Sequence, residues 1–229
     1  MIGLFDTLFD DPRLFLILLV AFVVSFVAGL SFHEFAHALV GDRLGDPTPV
    51  RQGRLTLNPR HHLDPLGTIF LLFAGFGWAK PVRVNPYNLK FGPKVGMALV
   101  AVAGPLSNFL LAAAFAAPLR TDALPFHETI IFRGIRFALI APGSWGPANY
   151  LAALLFFIVL INVTLGVFNL LPIPPMDGSR VAMLLPGDLG EFFRRMEQQG
   201  WGFGILMLLL LLPLFTGGQV NVIGWLLET

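Results

Sequence analysis

The chain contains no cysteine. Disulfide scaffolds and thiolate metal sites are thereby excluded, and any metal must be held by histidine and carboxylate. Charge is scarce as well: 13% of the 229 residues are Asp, Glu, Lys or Arg, against 55% hydrophobic. That balance is too apolar for a soluble domain of this size and fits a small polytopic membrane protein surrounded by a lipid bilayer. The net charge of +1 contains no basic excess, so no nucleic-acid partner is expected. Residues 1–12 carry Asp6, Asp10 and Asp11 but no Lys or Arg. Lacking the positive n-region of a cleavable signal peptide, the first apolar helix is expected to stay in place. Internal repeats and low-complexity tracts are absent, and the length leaves no room for an appended soluble domain of typical size. A single transmembrane domain over residues 1–229 is the expectation.

What is present begins with an almost unbroken apolar run, 14–41, long enough to span a bilayer as a helix with some tilt. Near its far end stands His33-Glu34-Phe35-Ala36-His37. The i, i+4 spacing stacks the two imidazoles on one face, where both can reach one Zn²⁺ with Glu34 beside it as a general base. Ionisable groups among Leu, Val, Phe and Ala cost about 2–3 kcal/mol each when uncompensated, so a metal in a polar cavity is favoured over a structural polar cluster.

Helix one should stop at Gly41 or Gly45, because Asp46-Pro47-Thr48-Pro49 cannot continue it. Residues 54–58 alternate as a short strand would, and 82–86, bracketed by Pro81 and Pro86, reads as extended. The two could pair as a small sheet or hairpin beside the site. Between them, 68–78 is apolar but too short to cross as a helix, which suggests a re-entrant element. Further spans are expected at 95–119, 149–171 and 201–227, the last broken or folded as a hairpin around Pro213 and Gly217-Gly218. The second carries Gly104-Pro105-Leu106-Ser107-Asn108, where Pro105 frees a carbonyl and Asn108 offers a polar group inward. Gly104 and Ser107 read equally well as a small-residue packing seam. Residues 130–140 form an amphipathic patch suited to the membrane surface. The fold class is thus mainly α, a polytopic membrane helical bundle.

Eleven of the 15 Lys and Arg residues fall in 42–94 or after Leu171. This bias makes the side where helix one ends cytoplasmic. Asp177 lies on that side, next to Pro172-Ile173-Pro174-Pro175-Met176, a stiff loop following an apolar helix. It is the carboxylate best placed to complete a three-ligand catalytic zinc site with an open fourth position. Metal-assisted amide hydrolysis is the corresponding reaction class, with Glu34 moving a proton from water to the leaving amine. His61 and His62, in a polar turn, are expected to be solvated or interfacial. His127-Glu128 is followed by Ile131 where a second ligand would be needed, so it is no second motif. Trp78, Trp145 and Trp201 suit membrane edges.

His33 to His37, taken with Asn169-Leu170-Leu171-Pro172-Ile173-Pro174-Pro175-Met176-Asp177-Gly178, resembles the site-2 protease family of intramembrane zinc metalloproteases. Asn58-Pro59, His62-Leu63-Asp64-Pro65-Leu66-Gly67, Gly77-Trp78-Ala79-Lys80-Pro81-Val82 and Gly104 to Asn108 extend the similarity over most of the chain. The resemblance implies one zinc on His33, His37 and Asp177, Glu34 as catalytic base, and Asn169 as a contact to the substrate carbonyl or oxyanion. It also implies membrane-embedded substrates, often regulators such as anti-sigma factors already trimmed by another protease. The chain has neither PDZ nor CBS domain, like the compact bacterial or archaeal subgroup, and a multi-pass location in the cell membrane follows. Two alternatives use the same residues differently. A metal-ion or proton transporter would tolerate Glu34→Gln, and a prenyl-protein protease would need an E-x-x-x-[DN]-type motif that Glu191 to Arg195 does not supply.

Overall fold

The computed structural model describes residues 12–74, 77–121, 124, 130–133, 136–139, 146–202, 204, 205, 208, 212 and 216. The apolar run becomes α1 (Pro12–Arg43), about 48 Å long at 1.5 Å per residue and so able to cross a bilayer. Its hydroxyls turn back on their own backbone, Ser25 Oγ to Ala21 O and Ser31 Oγ to Val27 O, both at 2.7 Å. The helix stops as expected at Gly45, whose φ of 109° suits a residue without Cβ. Asp46 N–H then donates to Gly41 O at 3.0 Å and Gly45 N–H to Asp42 O at 2.9 Å, capping carbonyls that the helix leaves open.

After α2 (Thr48–Arg51) and α3 (Pro65–Ala74) come the other two helices long and apolar enough to span, α4 (Gly92–Leu119) and α5 (Pro147–Asn169). These and α1 pack against one another pairwise. Phe15, Leu18, Ala21, Phe26 and Leu30 of α1 meet Ala153, Phe157 and Ile161 of α5, with Leu71 of α3 closing the cluster. Helix α4 turns a seam of small buried residues inward, Gly96, Ala98, Ala101, Gly104 and Ala112, which lets its backbone come close to its neighbours. Leu16, Val20, Val24, Leu106, Leu110 and Leu151 face outward, as lipid contact requires. Two short helices follow the third span: α6 (Asp177–Ala182), packed on α4, and α7 (Asp188–Gln198), tied to it by Arg180 and Glu197. The expected span 201–227 lies largely outside the described residues, as do His127, Glu128 and Trp145.

Segments 54–58 and 82–86 do not form a ladder. Asn58 and Asn85 instead each accept a backbone N–H two residues on, from Arg60 and Tyr87, and open short 3₁₀ turns that begin at Pro59 and Pro86. Side-chain acceptors two residues upstream of a free amide compete directly with strand pairing, and the prolines bring no donor to a ladder. The two regions are joined by one antiparallel bridge, Leu63 to Ala79, with Lys80 N–H donating to His62 O at 2.7 Å, and by the Arg54 guanidinium, which donates to Lys80 O at 3.2 Å. Among the described residues the only paired strands are β1 (Ile130–Arg133) and β2 (Arg136–Leu139), in the connection between the second and third spans. The region 68–78 is helical through Ala74, and it turns back so closely that Gly67 abuts the backbone of Trp78. His62 departs from expectation. It is fully buried, with Nε2 at 2.7 Å from Thr56 O, because the 3₁₀ turn directs it inward while His61 stays exposed.

Asp46 clamps this layer to the end of α1. Its carboxylate accepts from Thr48 Oγ1 at 2.6 Å, Asn85 N–H at 2.7 Å and Asn88 Nδ2 at 2.8 Å. Burial by itself would raise the Asp46 pKa, but these donors outweigh it and hold the carboxyl below its ordinary value. A depressed folded-state pKa means stabilisation that is complete above the unfolded value, about 3.9, and is lost as pH falls through the folded one. Asp46→Asn is therefore expected to lower stability by about 2–3 kcal/mol near neutral pH. In thermal unfolding of the detergent-solubilised chain, its deficit against wild type should shrink steadily below about pH 4.

Candidate metal centre

His33 and His37 face the same way from α1, ring centroids 4.5 Å apart, and both are buried. Their Nε2 atoms are 3.0 Å from one another. The proline loop after α5 brings Asp177, first residue of α6, to meet them. Asp177 Oδ2 lies 3.1 Å from His33 Nε2 and 3.2 Å from His37 Nε2. Gly178 makes that approach possible, since a Cβ there would collide with the backbone carbonyl of Leu170.

The donor set fits a divalent metal. Each imidazole has its Nδ1 against an acceptor: Asn108 Oδ1 at 2.7 Å for His33 and Val100 O at 2.8 Å for His37. Val100 O can only accept, so His37 Nδ1 carries a proton, and it is Nε2 that the neutral ring would offer to a metal. Asp177 Oδ2 is buried with no hydrogen-bond partner among the described residues. Lone pairs converging in this way repel unless a cation lies among them. Donor atoms about 2.0–2.2 Å from a tetrahedral zinc stand roughly 3.3–3.6 Å apart, close to the separations seen. Gly104 of α4 forms the wall: a Cβ built there would lie 2.5 Å from His37 Nε2 and 2.6 Å from His33 Nε2. His33, His37 and Asp177 could therefore hold one metal ion.

Glu34 is buried next to His33 in the chain, and its Oε2 accepts from Val82 N–H at 3.0 Å. That extended segment thus lies against the candidate base. Its place follows from the Asp46 clamp at Asn85 and from Arg54, which reaches His61 O and Lys80 O. A backbone donor can be deleted only by proline. Val82→Pro is expected to reduce kcat about 10–100-fold, the worth of one hydrogen bond to a charged group, while zinc content stays at the wild-type level. Steady-state kinetics with metal analysis on the same preparation would check both halves. Asn169 sits at the end of α5, where its Nδ2 donates to Leu165 O at 2.9 Å.

Reasoning on the sequence missed the Val82 amide, the wall at Gly104 and the link from Asn108 to His33. The last two had a visible signal, because Gly104 and Asn108 are spaced i, i+4 and share one face of α4.

Three apolar helices with two imidazoles and a carboxylate converging among them are what a metal-binding membrane protein requires. Comparison with known proteins sharpens this: residues 21–212 match the model of Peptidase family M50, and the chain belongs to that family. Relatives named "putative zinc metalloprotease" include YwhC of Bacillus subtilis (strain 168), 36% identical over 84% of this chain and 80% of its own. Rip2 of Mycobacterium tuberculosis (strain ATCC 25618 / H37Rv) is 29% identical over 90% of this chain and 72% of its own. MJ0611 of Methanocaldococcus jannaschii is 29% identical over 76% and 75% respectively. No solved structure was found to match. The protein is a metalloprotease of that family with three helices long and apolar enough to span a membrane, and His33, His37 and Asp177 form its candidate metal site.

Proposed function

We propose that this protein hydrolyses peptide bonds within or near the transmembrane segments of membrane-anchored regulatory proteins, including ones first trimmed by another protease. One observation carries the reading. His33 stands ten residues before the end of α1, about 15 Å along the helix axis and inside the apolar run 14–41, which supports a reacting centre below the lipid surface. Zinc, when bound, supplies the Lewis acidity that lets water attack a carbonyl near neutral pH. Glu34 takes the proton of the attacking water and returns it to the departing amine, its carboxylate aimed by the Val82 amide. Asn169 directs its amide toward the substrate carbonyl once the substrate displaces it from Leu165 O. The bias of Lys and Arg toward residues 42–94 opens the site to the cytoplasm.

Co-expression with tagged single-span proteins, followed by mass spectrometry of the fragments, tests this. Cleavage inside or next to the hydrophobic segment, absent with Glu34→Gln, is the expected result. Cuts confined to distant soluble regions would overturn the intramembrane reading and leave a metalloprotease of another specificity.

A further inference from the structure

His33 and His37 are held by different kinds of partner. His37 donates to a backbone carbonyl, Val100 O, whereas His33 faces a side chain, Asn108. Asn108 is completely buried on α4, and so is Asn162 on α5. An amide presents oxygen or nitrogen depending on which way it is turned, so Asn108 could either accept from His33 or donate to it. The outcome decides which ring nitrogen carries the proton, and only a proton on Nδ1 leaves Nε2 free to bind metal.

The surroundings remove the ambiguity step by step. Asn162 Nδ2 lies 2.8 Å from Ile158 O, a carbonyl that can only accept, so Asn162 must turn its oxygen the other way. That oxygen lies 2.8 Å from Asn108 Nδ2, which also reaches Gly29 O at 3.1 Å. With two acceptors facing its nitrogen, Asn108 is obliged to turn Oδ1 to His33 Nδ1, 2.7 Å away. We infer that Asn108 and Asn162 act together as positioning residues, a relay across three spanning helices that starts at the Ile158 carbonyl and holds His33 in its metal-binding tautomer. The relay rests on the reading of His33 as a zinc ligand. Neither asparagine touches substrate, and Asn162 acts through Asn108.

The test is a zinc dissociation constant, measured by competition with a chelating dye on the full chain in detergent, with helix content followed by circular dichroism. Asn108→Leu should weaken zinc 10- to 100-fold, the usual cost of losing an outer partner of a metal-bound histidine. Asn108→Asp, which restores an acceptor for His33 but not the donor to Asn162 and Gly29 O, should recover part of that loss. Asn162→Leu should weaken zinc several-fold, and the double variant Asn108→Leu/Asn162→Leu should be no weaker than Asn108→Leu alone. Losses that add, or wild-type affinity in Asn108→Leu, would overturn the relay. If Asn108→Leu loses its helical signal, Asn162→Leu carries the decision, and wild-type affinity there overturns the inference. His33→Ala separates the two levels: unchanged zinc binding in that variant would mean that the metal reading itself has failed.

Discussion

Glu34→Gln is expected to cut turnover by about 10²- to 10⁴-fold, the usual contribution of a positioned proton carrier, while the protein still purifies with one zinc per chain. The amide keeps the size of the side chain and an oxygen for the Val82 N–H, which lies 3.0 Å from Oε2. The Nε2 atoms of His33 and His37 and the carboxylate of Asp177, the candidate ligands, are untouched. What disappears is a group able to take a proton from water. Zinc content and cleavage measured on one preparation check the claim. A protein that only conducts ions through this cluster would transport normally as Glu34→Gln, and retained transport with no cleavage in the wild type would sink the protease mechanism.

Gly104→Ala should have the second large effect, by geometry rather than chemistry. The added methyl would lie 2.5–2.6 Å from the Nε2 atoms of both imidazoles. Either α1 and α4 separate or the rings turn away, and both movements spoil the site. An overpacking cost of about 3 kcal/mol, borne entirely by the metal-bound arrangement, corresponds to roughly 150-fold weaker zinc binding. The three-helix bundle should persist, because the core formed by α1, α3 and α5 does not include this position. Ser107→Ala is the control: Ser107 Oγ only returns to Gly104 O in its own helix, and zinc binding should be unchanged. A full equivalent of tightly held zinc in Gly104→Ala would show that the wall is not where the structure puts it.

The parts of this protein that could be read along the chain are those set by local periodicity. Apolar runs of sufficient length became α1, α4 and α5 because a backbone in lipid must satisfy its own hydrogen bonds. The stop at Gly45 was legible because a left-handed residue after a helix favours glycine. The shared face of His33 and His37 follows from 3.6 residues per turn, whatever surrounds the helix. Where the reading failed, two local rules competed. Alternation suggested a strand at 54–58 and the prolines an extended partner for it at 82–86, yet the Asn-Pro pairs at 58–59 and 85–86 open side-chain-capped turns and the two do not pair.

The sequence by itself determined the membrane class, the absence of thiolate ligands and a two-histidine face within a spanning helix, all properties of composition or of neighbours a turn apart. Tertiary packing alone decided that Asp177 closes on that face, that Gly104 is a wall rather than only a seam, and that Asn108 serves His33. Those facts join residues more than 60 positions apart. No periodicity along one helix encodes which face of another will be pressed against it.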